Sequence, residues 1–177
     1  MGAPEPVQNL ERFDRCVDPD DLDEAPTRSM TLPFERRQKT RQRGVLDDGS
    51  EIAVVLPRGT IMRGGDCLVG TRGGTVRVVA ADEPVSYVCG SGDGLARAAY
   101  HLGNRHVWVE LGLGRVSWLQ DHVLDSMIVG FGLAVFHAQL PFEPEGGAYS
   151  HGHHQHGRED ASASHGHVHE YEHGGRQ

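Results

Sequence analysis

Cysteine is scarce in this sequence. The three that occur, Cys16, Cys67 and Cys89, are widely spaced and odd in number, and no Cys-x-x-Cys pair exists. Neither a disulfide framework nor a closed cysteine zinc site is expected from that pattern, and free thiols in a reducing compartment are. Long apolar runs are missing too. No stretch approaches the roughly 20 residues of a bilayer span, so no membrane partner is expected. The start, Met1-Gly2-Ala3-Pro4-Glu5-Pro6, has no basic region and no apolar run, so it does not read as a signal peptide. The expected location is cytoplasmic. Basic charge is in deficit, with Lys+Arg 17 against Asp+Glu 25 and a formal net charge of −8. An acidic chain repels phosphate backbones, and no basic stripe with interleaved aromatics is present, so nucleic acid is not an expected partner. Hydrophobic residues reach only 37%, which predicts that part of the chain lies outside any packed core.

Histidine is what the sequence has in excess. There are twelve, and all but His101, His106, His122 and His137 lie at or after His151. Four segments follow from composition and periodicity. Residues 1–28 are acidic, proline-containing and without apolar periodicity, and are expected to be a disordered extension. Residues 29–82 read as a small all-β domain. Strands are expected at 38–46, 51–56, 60–63, 66–69 and 75–81, with Asp48-Gly49 as a hairpin turn and Gly64-Gly65 and Gly73-Gly74 as breaks. Residues 83–149 alternate between the two periodicities. Strands are expected at 85–89, 106–111, 115–119 and 133–138. One helix, capped by Ser91 or Asp93, runs to about Leu102 and stops at Gly103. A second, capped by Asp121, runs to about Gly132. That order is βαββαβ, a ferredoxin-like pattern. Residues 150–177 are rich in Gly, His, Ser and acids and read as a disordered tail able to bind metal. The fold class is therefore α+β.

The tail carries Ser150-His151-Gly152-His153-His154-Gln155-His156 and His165-Gly166-His167-Val168-His169. Neutral imidazole is a good ligand for nickel, copper and zinc, and free histidine titrates near pH ~6.5, so such rings are available at neutral pH. Two blander readings are an expression tag, against which the interruptions by Gly and Gln count, and a solubilising tail with incidental metal affinity. His122, in Asp121-His122-Val123-Leu124-Asp125, falls in the first turn of the second helix. One histidine does not hold a transition metal. A twofold axis that brought its copy from a second subunit alongside would make a shared site. His137, on the last strand, is either a further ligand or an ordinary strand histidine. His101 and His106 flank the end of the first helix, where an Asn-Arg-His turn can satisfy free carbonyls. Gly90-Ser91-Gly92-Asp93-Gly94 lacks the lysine and spacing of a phosphate loop. Asp121, His122 and Asp125 have no nucleophile beside them in sequence, so no catalytic residue is expected.

Three blocks resemble the UreE family of urease accessory proteins. The first is Leu32-Pro33-Phe34-Glu35-Arg36-Arg37-Gln38-Lys39-Thr40-Arg41, with Leu56-Pro57-Arg58-Gly59-Thr60 and Arg63-Gly64-Gly65-Asp66. The second is Ala98-Ala99-Tyr100-His101-Leu102-Gly103-Asn104-Arg105-His106. The third runs from Asp121-His122-Val123-Leu124-Asp125 through Leu140-Pro141-Phe142-Glu143-Pro144-Glu145-Gly146-Gly147-Ala148-Tyr149 to the histidine-rich end. The resemblance implies a β domain similar to a chaperone peptide-binding domain, followed by a ferredoxin-like metal-binding domain that forms the homodimer. It implies a non-enzymatic nickel carrier for apo-urease that works with a urease accessory GTPase, and Zn(II) or Cu(II) may substitute in vitro. The family's metal histidine falls on His122. Its secondary ligands point to His137 and to the tail residues His151, His153, His154 and His156. Two other functions stay open from the residues themselves: nickel or zinc storage by the tail, and peptide binding by the β domain.

Overall fold

The computed structural model describes residues 10–146, an α+β architecture built mostly of strands in two sheets. The first sheet contains β1 (Glu11–Val17), β2 (Arg28–Leu32), β3 (Arg41–Val45), β4 (Glu51–Val55), β5 (Cys67–Gly70) and β6 (Thr75–Ala80), in the order β2-β6-β5-β1-β4-β3. A short helix, α1 (Phe34–Arg37), follows β2. Alternation sets the core: Ile52 and Val54 of β4, Val76 and Val78 of β6, and Met30 and Leu32 of β2 all turn inward. Between β3 and β4 the chain reverses at Gly49, whose φ of +87° suits glycine, while Asp48 Oδ1 accepts from Ser50 N (2.8 Å) and Ser50 Oγ (2.6 Å). The sheet curls until its two edge strands approach each other at Asp47. That carboxylate accepts from Ser29 Oγ (2.6 Å), Thr31 N (3.1 Å) and Thr31 Oγ1 (3.1 Å) of β2. These bonds, led by the Ser29 hydroxyl, hold it below the usual carboxylate range.

Several expectations are corrected here. Residues 10–28 are not a disordered extension: β1 sits inside the sheet, parallel to β4 and antiparallel to β5. A bulge between Phe13 and Arg15 breaks the two-residue period that marks a strand, so the apolar signal of Phe13, Cys16 and Val17 is out of step. The acidic stretch after it folds locally, with a 3-10 turn at Pro19–Asp21 capped by Asp18. Thr60–Arg63 is loop, and its apolar Ile61 and Met62 pack inward without pairing. α1 starts directly after Pro33 and is too short to show a helical period. All three cysteines are free. Cys16 Sγ donates to Asp66 Oδ2 (3.3 Å), and burial, with Asp66 beside it, pushes that thiol well up.

Only Ala81 separates the first sheet from the second. The second sheet comprises β7 (Asp82–Cys89), β8 (Glu110–Gly112), β9 (Arg115–Leu119) and β10 (Phe136–Pro141), in the order β10-β7-β9-β8 with every neighbouring pair antiparallel. Two helices cover one face: α2 (Asp93–Gly103) and α3 (His122–Val129). Ala98 and Leu102 of α2 and Ile128 of α3 pack on Val88, Val116 and Trp118. The α2 N-cap is Gly92, with no side-chain cap bond, rather than Ser91 or Asp93. Gly103 belongs to the last turn instead of stopping it. The reversal comes at His106 (φ 57°), whose N–H donates to the Gly103 carbonyl (2.9 Å). Strand pairing covers only the end of the 106–111 segment, because Val107 and Val109 turn into the helix-side core. α3 ends at Val129, and the final strand starts at Phe136 rather than Leu133.

The opposite face of the second sheet packs on the first domain. Phe34, Val85 and Phe142 are buried there, flanked by Ile61, Leu119 and Leu140. The Phe34 ring meets Trp108 (5.3 Å) and Phe142 (5.5 Å) edge to face. Arg37 lies beneath them, fully buried. Its Nη1 donates to Glu143 Oε1 (2.7 Å), its Nη2 donates to the Phe142 carbonyl, and its guanidinium stands 5.3 Å from the Phe34 ring centroid. Glu143 Oε1 also accepts from Gly64 N (2.7 Å). A Cβ at Gly64 would meet that oxygen at 2.7 Å, so a larger residue there would displace the carboxylate. Replacing Phe142 with alanine empties a fully buried ring site. Urea unfolding of Phe142→Ala is expected to lose about 3–5 kcal/mol, whereas a loss within about 0.5 kcal/mol would mean the junction is not packed as described.

Candidate metal-binding site

α3 begins at a strong local signal. Asp121 is its N-cap, in extended conformation, and its Oδ1 accepts from Leu124 N (3.1 Å) and Val123 N (2.8 Å). Those two backbone bonds hold the carboxyl below its usual range. His122 is therefore fixed at the first helical position with its ring in solvent. One turn on, Ser126 Oγ donates to the His122 carbonyl (2.7 Å).

Asp125 links the helix to the sheet beneath it. Trp118 of β9, fully buried, donates its indole N–H to Asp125 Oδ1 (3.0 Å). Asp125 Oδ2 lies 2.9 Å from His137 Nε2 on β10. The register explains the meeting. His137 stands opposite Ser86 of β7 and Ser86 opposite Trp118, so the three form one row on the helix-covered face. With Nε2 engaged by a carboxylate, Nδ1 is the nitrogen His137 has left for a ligand. The sequence pattern placed Asp125 beside His122 but held no sign of this bridge, because it depends on strand register. The Trp118–Asp125 spacing of seven residues spans a strand end and a helix cap.

The structure thus puts His122 on α3 and His137 on β10, with Asp125, three residues after His122, hydrogen-bonded to His137. Among the described residues no group of three or more His, Cys, Asp or Glu gathers to enclose an ion. β10 is an edge strand, and Val123, Val129 and Phe136 around the two histidines are exposed at 61%, 56% and 48%. His101 stacks near Phe131 (4.5 Å) and accepts Arg105 Nη1 at its carbonyl (3.0 Å), which is a packing role. His151, His153, His154 and His156 lie outside the described residues.

Two family models match the chain. One, described as the UreE urease accessory protein N-terminal domain, covers residues 10–81, and the other, its C-terminal domain, covers residues 83–173. The chain belongs to the UreE family of urease accessory proteins. A urease accessory protein UreE of Alkalilimnicola ehrlichii is 57% identical over 122 residues, 68% of this chain and 75% of that relative. UreE of Ralstonia nicotianae is 51% identical over 131 residues, 73% of this chain and 62% of the relative. UreE of Citrobacter koseri is 49% identical over 135 residues, 73% of this chain and 89% of the relative. The match to the UreE N-terminal domain starts one residue before β1, in keeping with that strand's place in the sheet. The relatives are named as accessory proteins rather than enzymes. No helix among the described residues is long and apolar enough to cross a membrane.

The cap at α3 has a pH signature. Because the folded Asp121 carboxyl titrates below its unfolded value, its stabilisation is full above the unfolded pKa of about 3.9 and is lost as pH falls through the folded one. Asp121→Ala is expected to lower the melting temperature at pH 7 and to differ little from wild type at the acid end. A difference that grew on acidification would reverse the assignment.

Proposed function

We propose that this chain carries Ni(II) to apo-urease during assembly of the urease metallocentre, as a homodimer joined through its second domain and in concert with a urease accessory GTPase. Membership of a urease accessory family supports the destination. The observation that carries the metal role is the exposed His122 ring, fixed by the Asp121 cap beside an apolar open edge and without enough ligating neighbours among the described residues to enclose an ion. Such a ring suits a site shared between two copies. The βαββαβ order with strands arranged 4-1-3-2 supports a ferredoxin-like reading of 83–149, and the cytoplasm suits both free thiols and the cargo.

In this reading the two His122 rings hold the ion and His137, steadied by Asp125, supplies a further nitrogen. His151, His153, His154 and His156 load or complete the site. Nickel here is cargo, so exchangeable imidazoles serve better than a closed cage. Zn(II) or Cu(II) bind the same donors in vitro, and copper at least as tightly, so selectivity comes from supply and docking. Acidification releases the ion, because an imidazole binds metal only when deprotonated.

Nickel calorimetry on the full chain, a chain ending at Tyr149 and the His122→Ala variant separates the options. Delivery predicts one nickel retained per two tail-less chains and its loss in His122→Ala. Loss of all nickel with the tail would instead make the chain a storage protein. Undiminished urease activation by His122→Ala at limiting nickel would favour a peptide-binding role for the first domain.

A further inference from the structure

The first sheet has a filled inner face and an arginine-lined outer one. The bulge in β1 decides this. Phe13 stands opposite Gly70 and Arg15 opposite Val69, leaving Asp14 as the extra residue. Phe13 and Cys16 both face the core, so the inserted residue turns Arg12 and Arg15 to the outside together, and both are exposed. In β3, Arg41 and Arg43 alternate outward while Gly44 turns in. Arg12 and Arg43 each stand opposite Ala53 of β4, one on either side, about 10 Å apart across two strand spacings. Arg41 stands opposite Val55. Three arginines thus flank Ala53 and Val55, with Arg15 further along β1 opposite Val69, in a chain whose net charge is −8.

Three acids share these strands. Glu51 is bound to Arg43 (2.6 Å) and Glu11 to Arg28 (3.1 Å), and Asp14, the extra residue of the bulge, lies between Arg12 and Arg15, so the four arginines of the face still outnumber its acids. The guanidinium groups of Arg12, Arg15 and Arg41 form no hydrogen bond or ion pair with the described residues. Unpaired like charges at this spacing build a local positive potential that draws and orients an anionic partner.

We propose that this face docks an acidic surface of a protein partner. Strand addition at the neighbouring edge is blocked. Arg36 reaches along β3, donating Nη2 to the Arg43 carbonyl (2.7 Å) and Nε to Gln42 Oε1 (2.6 Å), so the open edge is covered by a side chain. What remains is a side-chain platform, where guanidinium forks pair with carboxylates and Ala53 and Val55 allow close approach. Single-stranded nucleic acid fits less well, because no aromatic side chain stands on the outward positions of β1, β3 and β4 for a base to stack on. This docking uses no metal ligand and stands apart from the nickel reading.

The test is metal-free. Fluorescent poly-L-glutamate is titrated with the full chain at low and high salt. Wild type is expected to bind with an affinity that falls as salt rises. Reversing Arg12, Arg15 and Arg41 together to glutamate should weaken binding at least about tenfold. Reversing Arg97 and Arg105, exposed residues on and just after α2 in the second domain, should leave it unchanged. If circular dichroism shows that the triple reversal does not fold, the triple glutamine variant replaces it with a smaller loss expected. Equal binding by wild type and triple variant, an equal loss in the Arg97 and Arg105 variant, or tighter arginine-dependent binding of oligothymidylate than of poly-L-glutamate would each overturn the proposal.

Discussion

A single buried guanidinium joins the two halves of this protein. Arg37 comes from a one-turn helix in the first domain and ends on the Phe142 carbonyl and Glu143 carboxylate, just beyond the last strand of the second. Taking that charge out of water is costly, and such a group persists only where several acceptors converge on it. Here two backbone carbonyls, a carboxylate and an aromatic face do so. Arg63, donating to the Pro144 carbonyl (2.5 Å), and Glu110, accepting from Glu143 N (2.9 Å), hold the same segment from either side. The end of β10 is thereby pinned against the first domain, and the other end of that strand, with His137 and Phe136, is left at an open edge.

This arrangement leaves the two sheets open in different places. In the second sheet the helices and the first domain take the two sides, and exposure is left at the β10 edge and the start of α3. In the first sheet the curl encloses Met30, Ile52, Val54 and Leu68, and the arginines have only the outside available. The proposed cargo site and the proposed docking face therefore sit on separate domains. An acidic partner could be held on one while the ion leaves the other.

Much of this was legible in the residues. Asp121 is the helix cap the sequence pattern demanded, Asp48-Gly49 makes the hairpin, and Val54, Val76 and Val78 alternate as strand residues do. The losses have physical causes. β1 has a bulge that shifts its period midway, and acidic neighbours hide it. α1 is a single turn, too short for a helical period to show. Met62 is apolar because it is buried and Ile61 because it packs on the junction, although neither lies in a strand. At the site, His122 was readable from its cap. The Asp125 bridge between Trp118 and His137 was not, because it requires knowing that β7 lies between β9 and β10.

The proposed account rests on imidazole nitrogens from exposed, helix-anchored His122 rings meeting at one ion. Nickel-edge X-ray absorption on the nickel-loaded chain ending at Tyr149 reads that directly. The account predicts imidazole scattering around the metal that disappears in His122→Ala. A spectrum of oxygen ligands alone, or an imidazole signal unchanged by that substitution, would contradict it.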